Sequence, residues 1–279
     1  MRQESFEAAN AEGIINSRIY IGDSRDVLKE LHDKIKGQVA LVVTSPPYNV
    51  DRGYESYLKS ATEYWNMVWE VLELTAPLVS PFSMVAINFA DKYANAKEYG
   101  RPLEISYIPN YIWKMKQLDF DLWARIIWNK NRLPDGARHI TSKSRFEGQM
   151  RICPDWEYIF IWRKRGEGKP PKKQITMTKE QWKLWSKGVW SIDPVRRNPL
   201  VDNTKLAIFP DELPRRLIEM YTARGDIVLD PFCGTGTTVK VARRLGRIGI
   251  GIEKNPTMLE VLKLNLQPEL FINNKIEFS

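Results

Sequence analysis

The 279-residue chain is predicted to fold as an α/β protein. Three observations predict it. The apolar run Val39-Ala40-Leu41-Val42-Val43, rich in β-branched residues and stopped by Pro46 and Pro47, reads as a buried parallel strand. It delivers the polar tip Thr44-Ser45-Pro46-Pro47-Tyr48-Asn49 at its carboxyl end, where open α/β sheets bind ligands. A second short apolar strand, Ile227-Val228-Leu229, ends in Asp230, passes through the turn Gly234-Thr235-Gly236 and enters a helix through Val239 to Leu245. Further strand-length runs alternate with helical patterns along the rest of the chain.

Taken in order, residues 1 to about 17 form a polar lead-in with some helical character. Arg18 to Gly22 reads as a strand, Asp23 as its acidic exit and Ser24 as a cap before a helix over Arg25 to Leu31. After the proline loop, Val50 to about Ala61 lacks apolar periodicity and suits a mobile loop. Glu63 to Val79 reads as an amphipathic helix with Trp65, Val68, Trp69, Leu72 and Ala76 on one stripe, which at that spacing is core packing. Strands follow at Ser83–Asn88, Leu122–Trp128 and Glu157–Trp162, with a helix over Tyr107–Leu118. Ile248 to Ile252 is a last strand, ending in Glu253, and Asn255 to Leu266 a closing helix.

The chemistry of the two loops can be read from residue type. Pro46 and Pro47 have fixed φ and no N–H, so the backbone there offers carbonyl acceptors and few donors. Ser45 adds a hydroxyl that can accept, and Tyr48 a flat aromatic face, a combination suited to a planar group bearing an NH₂. Gly234 and Gly236 allow a tight turn and close approach of a ligand, and Glu253 stands about 20 residues further on, where a carboxylate can bind ribose hydroxyls.

Read together, these two motifs make the chain resemble the S-adenosylmethionine-dependent DNA amino-methyltransferases of the beta class, the cytosine-N4 and adenine-N6 enzymes. Thr44 to Asn49 resembles their catalytic motif and Asp230-Pro231-Phe232-Cys233-Gly234-Thr235-Gly236 their cofactor motif, in the beta-class order. The resemblance extends from about Arg18 to Leu266 and implies a Rossmann-like seven-stranded methyltransferase sheet. The sheet would be circularly permuted and interrupted by a target-recognition insertion. It divides the chain into a catalytic half (1–129), a recognition region with one sheet strand near 157–162 (130–203) and a cofactor-binding half (204–279).

The cofactor implied is S-adenosyl-L-methionine, with no metal. Its site would include Asp23, Ser24, Thr204, Phe209, Pro210, Asp230, Pro231, Phe232, Gly234, Thr235, Gly236 and Glu253. Asp23 would lie against adenine and also serve as an N-cap, and Thr204, Phe209 and Pro210 would lie beside the methionine end. Ser45, Pro46, Pro47 and Tyr48 would hold a flipped target base. Serine at the first catalytic position in this family accompanies mostly cytosine-N4 activity, so N4-methylcytosine is the expected product and adenine N6 the alternative.

Composition bears on the partner. A net charge of +8 favours a polyanion, here double-stranded DNA. Basic residues concentrate in two stretches, Asn129–Arg151 and Arg163–Arg197. Arg132, Arg138, Lys143, Arg145, Lys172 and Lys173 are the candidate DNA contacts, and the interleaved Trp182, Trp185 and Trp190 could equally cover the core. His139 suits a cap or a phosphate contact better than a catalytic base. The two cysteines, Cys153 and Cys233, suit neither a disulfide framework nor a zinc site, and neither follows proline as a cytosine-C5 nucleophile would. With no apolar run of the roughly 20 residues a membrane span needs and no signal-peptide core, the expected place is the cytoplasm. Expected partners are DNA and a cognate restriction endonuclease, with the chain a monomer or homodimer. An RNA base methyltransferase would share both loops but lacks a recognisable appended RNA-binding domain here. A non-catalytic nucleic-acid-binding module would have no need of Asp230, Gly234, Gly236 and Glu253 together.

Overall fold

The computed structural model describes residues 17–47, 60–94, 100, 103–131, 154–172, 176–195, 209–270 and 277–278. In chain order the elements are β1 (Arg18–Ile21), α1 (Ser24–Ile35), β2 (Val39–Thr44), α2 (Ala61–Thr75), β3 (Val79–Phe89), β4 (Lys92–Ala94), β5 (Leu103–Ile105), α3 (Ile108–Gln117) and β6 (Phe120–Asn129). There follow β7 (Trp156–Lys164), α4 (Lys179–Trp185), β8 (Val189–Ser191), α5 (Glu212–Tyr221), β9 (Ile227–Asp230), α6 (Thr237–Arg244), β10 (Ile248–Glu253), α7 (Leu259–Leu270) and β11 (Glu277–Phe278).

All seven strands expected from the sequence form, and they share one sheet. Among the described residues that sheet has nine strands in the order β11-β1-β10-β9-β2-β3-β7-β6-β8, while β4 and β5 pair separately. The two additions are edge strands: β8 pairs parallel to β6, and β11 parallel to β1. From β1 to β3 the neighbours are parallel, and β7 alone runs antiparallel, between β3 and β6. The consequence of the permuted order is that β9, late in the chain, lies beside β2, early in it, with Val42 opposite Leu229. Both strand ends therefore open on the same edge.

Alternation along the strands divides the core into two layers. On one face Val42, Val85, Ile87, Phe89, Phe160 and Trp162 pack against α1, α2 and α3. On the other, Leu41, Val43, Ala86, Ile159, Ile161 and Val228 pack against α4, α5 and α6. The stripe on α2 is core, as expected: Val68 and Leu72 are buried, and Trp65 stacks on Trp69 at 4.5 Å between ring centres. The α-helix stops at Thr75, short of Val79, because Pro77 cannot donate and the chain tightens into a 3₁₀ turn over Ala76–Leu78. Likewise the closing helix starts at Leu259 rather than Asn255, because Asn255 caps a 3₁₀ turn led by Pro256. β3 begins earlier than expected, at Val79, and passes through Phe82 at φ 65°.

β7 and β8 belong to the sheet, and Trp185 and Trp190 are buried in the second layer, whereas Trp182 is exposed. Among the described residues no helix is long and apolar enough to cross a membrane. The lead-in at 1–16, the loop at 50–59, His139 and Cys153 lie outside the described residues.

Candidate active site

β9 ends in Asp230, whose side chain is only 2% exposed. Its Oδ1 accepts from Thr44 Oγ1 at 2.8 Å and from the Phe232 backbone N–H at 3.1 Å. Burial pushes the carboxyl up to about 6, against the pull of these donors. The chain then turns through Pro231, whose carbonyl accepts a 2.5 Å hydrogen bond from Ser24 Oγ. Ser24 thus ties the start of α1 to the cofactor loop.

The glycine turn is built as the sequence requires, but the two glycines do different things. Gly236 (φ 78°) precedes α6, and a Cβ there would come within 2.9 Å of Leu262 Cδ2. Gly234 is also left-handed (φ 51°), yet a Cβ there would meet nothing within 4 Å. The space beside Gly234 is open to a ligand. The turn is braced by α7, where Asn265 Nδ2 donates to the Thr235 carbonyl at 2.6 Å. Thr235 itself is buried, and Cys233 is a buried thiol packed with Ile19, Val239 and Leu262, a structural role.

Glu253, at the end of β10, curls back onto this turn. Its Oε2 accepts from the Gly234 N–H at 3.0 Å and its Oε1 from the Asn255 N–H at 2.8 Å, while burial raises its pKa. A carboxylate offers about four acceptor positions, so capacity remains for a hydroxyl-bearing ligand. Asp23 lies beside it across the sheet, since β1 pairs with β10. Arg25 and Lys254 both pair with the Asp23 carboxylate, at 2.8 and 2.9 Å, and Arg25 foremost holds its pKa well below the usual range. It also caps α1 by accepting from the Arg25 N–H at 3.0 Å. Asp230, Gly234, Glu253 and Asp23 thus gather at the carboxyl edge of three adjacent strands, a donor and acceptor set that fits an adenosyl ligand.

The proline loop leaves the neighbouring strand. Ser45 is half-buried and Pro46 buried directly beyond Thr44, and Ser45 Oγ lies 3.4 Å from Asn88 Oδ1 at the end of β3. Asn88 in turn donates from Nδ2 to the Tyr158 carbonyl at 2.9 Å. Phe209 reaches the same place: with Thr44, Asn88, Ala86 and Leu213 it lines a small cleft beside the loop. Pro210 is buried and its carbonyl accepts from the Leu213 N–H, starting α5. Tyr48, Thr204, Arg132, Arg138, Lys143, Arg145 and Lys173 lie outside the described residues. Lys172 is exposed. Of the other basic residues, Lys130 pairs with Glu157, Arg165 with Asp121 at 2.7 Å, and Arg163 lies over the rings of Phe82 and Trp123, so the fold itself uses these. Among the described residues no His, Cys, Asp and Glu group could hold a metal ion.

Asn88 and Asn265 join the site without a motif to announce them, and Thr44, at the head of the proline-loop motif, makes a contact with Asp230 that the motif did not announce. The available signal was position: Thr44 ends the otherwise apolar β2, and Asn88 stands one residue before the end of β3, on the edge where ligands bind.

Comparison with known proteins agrees with this geometry. Residues 39–264 match the N6/N4 family of DNA methylases. The Type II methyltransferase M.MjaI of Methanocaldococcus jannaschii is 29% identical, over 94% of this chain and 96% of that protein. M.BglII of Bacillus subtilis, also a Type II methyltransferase, is 30% identical over 92% of this chain and 71% of its own length. Among solved structures, a DNA modification methylase from Thermus thermophilus in complex with S-adenosyl-L-methionine superposes with a TM-score of 0.72 at 28% identity, covering 94% of this chain and 98% of that one. The cytosine-N4-specific PvuII DNA methyltransferase gives 0.69 at 25% identity, covering 94% and 89%. The chain belongs to the N6/N4 DNA methylase family.

Proposed function

We propose that the chain methylates the exocyclic N4 amine of a cytosine flipped out of double-stranded DNA, at a specific sequence, as the modification enzyme of a restriction-modification pair. The broader activity follows from the family: the protein is an S-adenosyl-L-methionine-dependent DNA amino-methyltransferase. The choice of cytosine is carried by Ser45, the neutral hydroxyl at the head of the proline loop, and is supported by the likeness to the PvuII enzyme.

An exocyclic amine is a poor nucleophile because its lone pair is delocalised into the ring, and inside a duplex it is out of reach. Enzymes of this kind take the nucleotide out of the stack. S-adenosyl-L-methionine, when bound, supplies an electrophilic sulfonium methyl. Asp230, Gly234 and Glu253 would hold it, with Asp23, Ser24, Pro231, Phe232, Thr235, Gly236, Thr204, Phe209 and Pro210 around it. Ser45 Oγ and the Pro46 carbonyl would accept hydrogen bonds from the target NH₂, Pro47 would keep the loop rigid, and Tyr48 would stack on the base. Positioning of this sort supplies about 7–11 kcal/mol of barrier reduction in well-oriented cases.

Toward DNA, Lys172 and Lys173 would contact phosphates and Arg132, Arg138, Lys143 and Arg145 bases or backbone, within a recognition region spanning 130–203. Transfer of tritiated methyl groups to duplex DNA and not to tRNA is the expected result. Transfer to tRNA alone would displace DNA as the substrate.

A further inference from the structure

Asn88, one residue before the end of β3, stands next to Ser45, which follows β2, where Thr44 is registered against Ile87. It is 3% exposed. Its Nδ2 donates to the Tyr158 carbonyl at 2.9 Å. A backbone carbonyl can only accept, so the amide nitrogen must face Tyr158, and the amide oxygen is turned toward Ser45. That oxygen also only accepts. At 3.4 Å from it, Ser45 Oγ is therefore the donor of the pair.

We infer that Asn88 is a positioning residue that fixes the polarity of Ser45, drawing its hydroxyl hydrogen inward so that the oxygen's lone pairs face the target amine. A serine hydroxyl has one hydrogen and two lone pairs and rotates to suit its surroundings. Turned outward instead, that hydrogen would meet the incoming NH₂ donor against donor. The Tyr158 carbonyl thus orients Asn88, and Asn88 orients Ser45, a chain of two hydrogen bonds running from β7 through β3 to the loop after β2. The inference rests on the reading of Ser45 as acceptor for the amine, and it holds whether that amine belongs to cytosine or adenine.

The test is a double-mutant cycle on the full-length protein, using Asn88→Ala, Ser45→Ala and the double variant. Asn88→Leu, which keeps the volume and lacks the acceptor, forms a second cycle in case the alanine variant folds poorly. Single-turnover methyl transfer to duplex DNA is measured at saturating cofactor, with S-adenosylhomocysteine and DNA affinities measured alongside. Loss of a neutral hydrogen bond predicts a rate about two- to tenfold lower for the Asn88 variants, with both affinities unchanged. In the Ser45→Ala background the same substitutions should cost nothing further. Equal losses with and without Ser45 would make Asn88 merely structural and overturn the inference, as would wild-type rates in both Asn88 variants. A Ser45→Ala enzyme with wild-type turnover would instead remove the reading of Ser45 on which it rests.

Discussion

Thr44 Oγ1 donates a 2.8 Å hydrogen bond to Asp230 Oδ1, across 186 residues of sequence. Thr44 precedes Ser45 of the proline loop, and Asp230 opens the glycine turn, so one bond joins the end of the catalytic strand to the end of the cofactor strand. Both partners are buried.

Replacing Thr44 by valine keeps the shape and removes this donor. A buried acceptor left short of a partner costs about 1–3 kcal/mol, and more if charged. The expected result is a urea midpoint lowered accordingly, with weaker S-adenosylhomocysteine binding by calorimetry. An unchanged midpoint would mean that the bond contributes nothing to holding the two strand ends together.

The raised pKa of Asp230 has a definite sign. The folded carboxyl titrates at about 6 against 3.8 for the ordinary group, so the folded state binds the proton more tightly. The penalty of burying the ionised form is then full above about pH 6 and disappears as pH falls toward 3.8, worth about 3 kcal/mol in all. Asp230→Asn removes it. Relative to wild type, the variant should gain about 2–3 kcal/mol of stability between about pH 4.5 and pH 7, read from denaturant midpoints at each pH. A constant difference across that window would contradict the buried, partly neutralised carboxyl.

The two glycines of the turn should respond differently to alanine. Both adopt positive φ, which costs an alanine about 1–2 kcal/mol. At Gly236 the added Cβ also meets Leu262 at 2.9 Å, so stability should fall further there. At Gly234 the added methyl enters open space beside Glu253, so loss of cofactor affinity should exceed loss of stability. Thermal unfolding and calorimetry on the two variants separate the cases, and identical profiles would count against the cofactor lying beside Gly234.

Lys172 and Lys173 test the DNA reading. Neutralising both should weaken binding to all sequences alike and reduce the slope of log affinity against log salt by about two, since each phosphate contact contributes roughly one unit. A slope equal to that of wild type would remove these lysines from the interface.

Much of this fold was legible because strands buried on both faces read as continuous apolar runs: Val39–Val43, Ile227–Leu229 and Ile248–Ile252 each marked a strand without ambiguity. The edge strands β8 and β11 were not legible, since three- and two-residue strands carry no periodicity. Trp185 and Trp190 looked as suited to DNA as to the core, and only tertiary contact with β6 and α5 decided for the core. In the site, the motif residues Asp230, Gly234, Gly236 and Glu253 came together as their spacing required. Glu253 proved to brace the Gly234 N–H as well, a bond between residues that no spacing rule predicts. The bond of Thr44 and the place of Asn88 were hidden for a similar reason. Their partners, Asp230 and Tyr158, are distant in sequence, and a hydrogen bond between strand ends leaves no local pattern.

Ser45 is proposed to receive the amine of a cytosine. Duplex DNA methylated by the purified protein, digested to nucleosides and resolved by mass spectrometry, measures it directly. The expected product is N4-methylcytosine, with no C5-methylcytosine, and Ser45→Ala should lower its rate of formation from several-fold to about a hundredfold, as expected for a lost buried hydrogen bond of about 1–3 kcal/mol. N6-methyladenine as the sole product would contradict the assignment of cytosine.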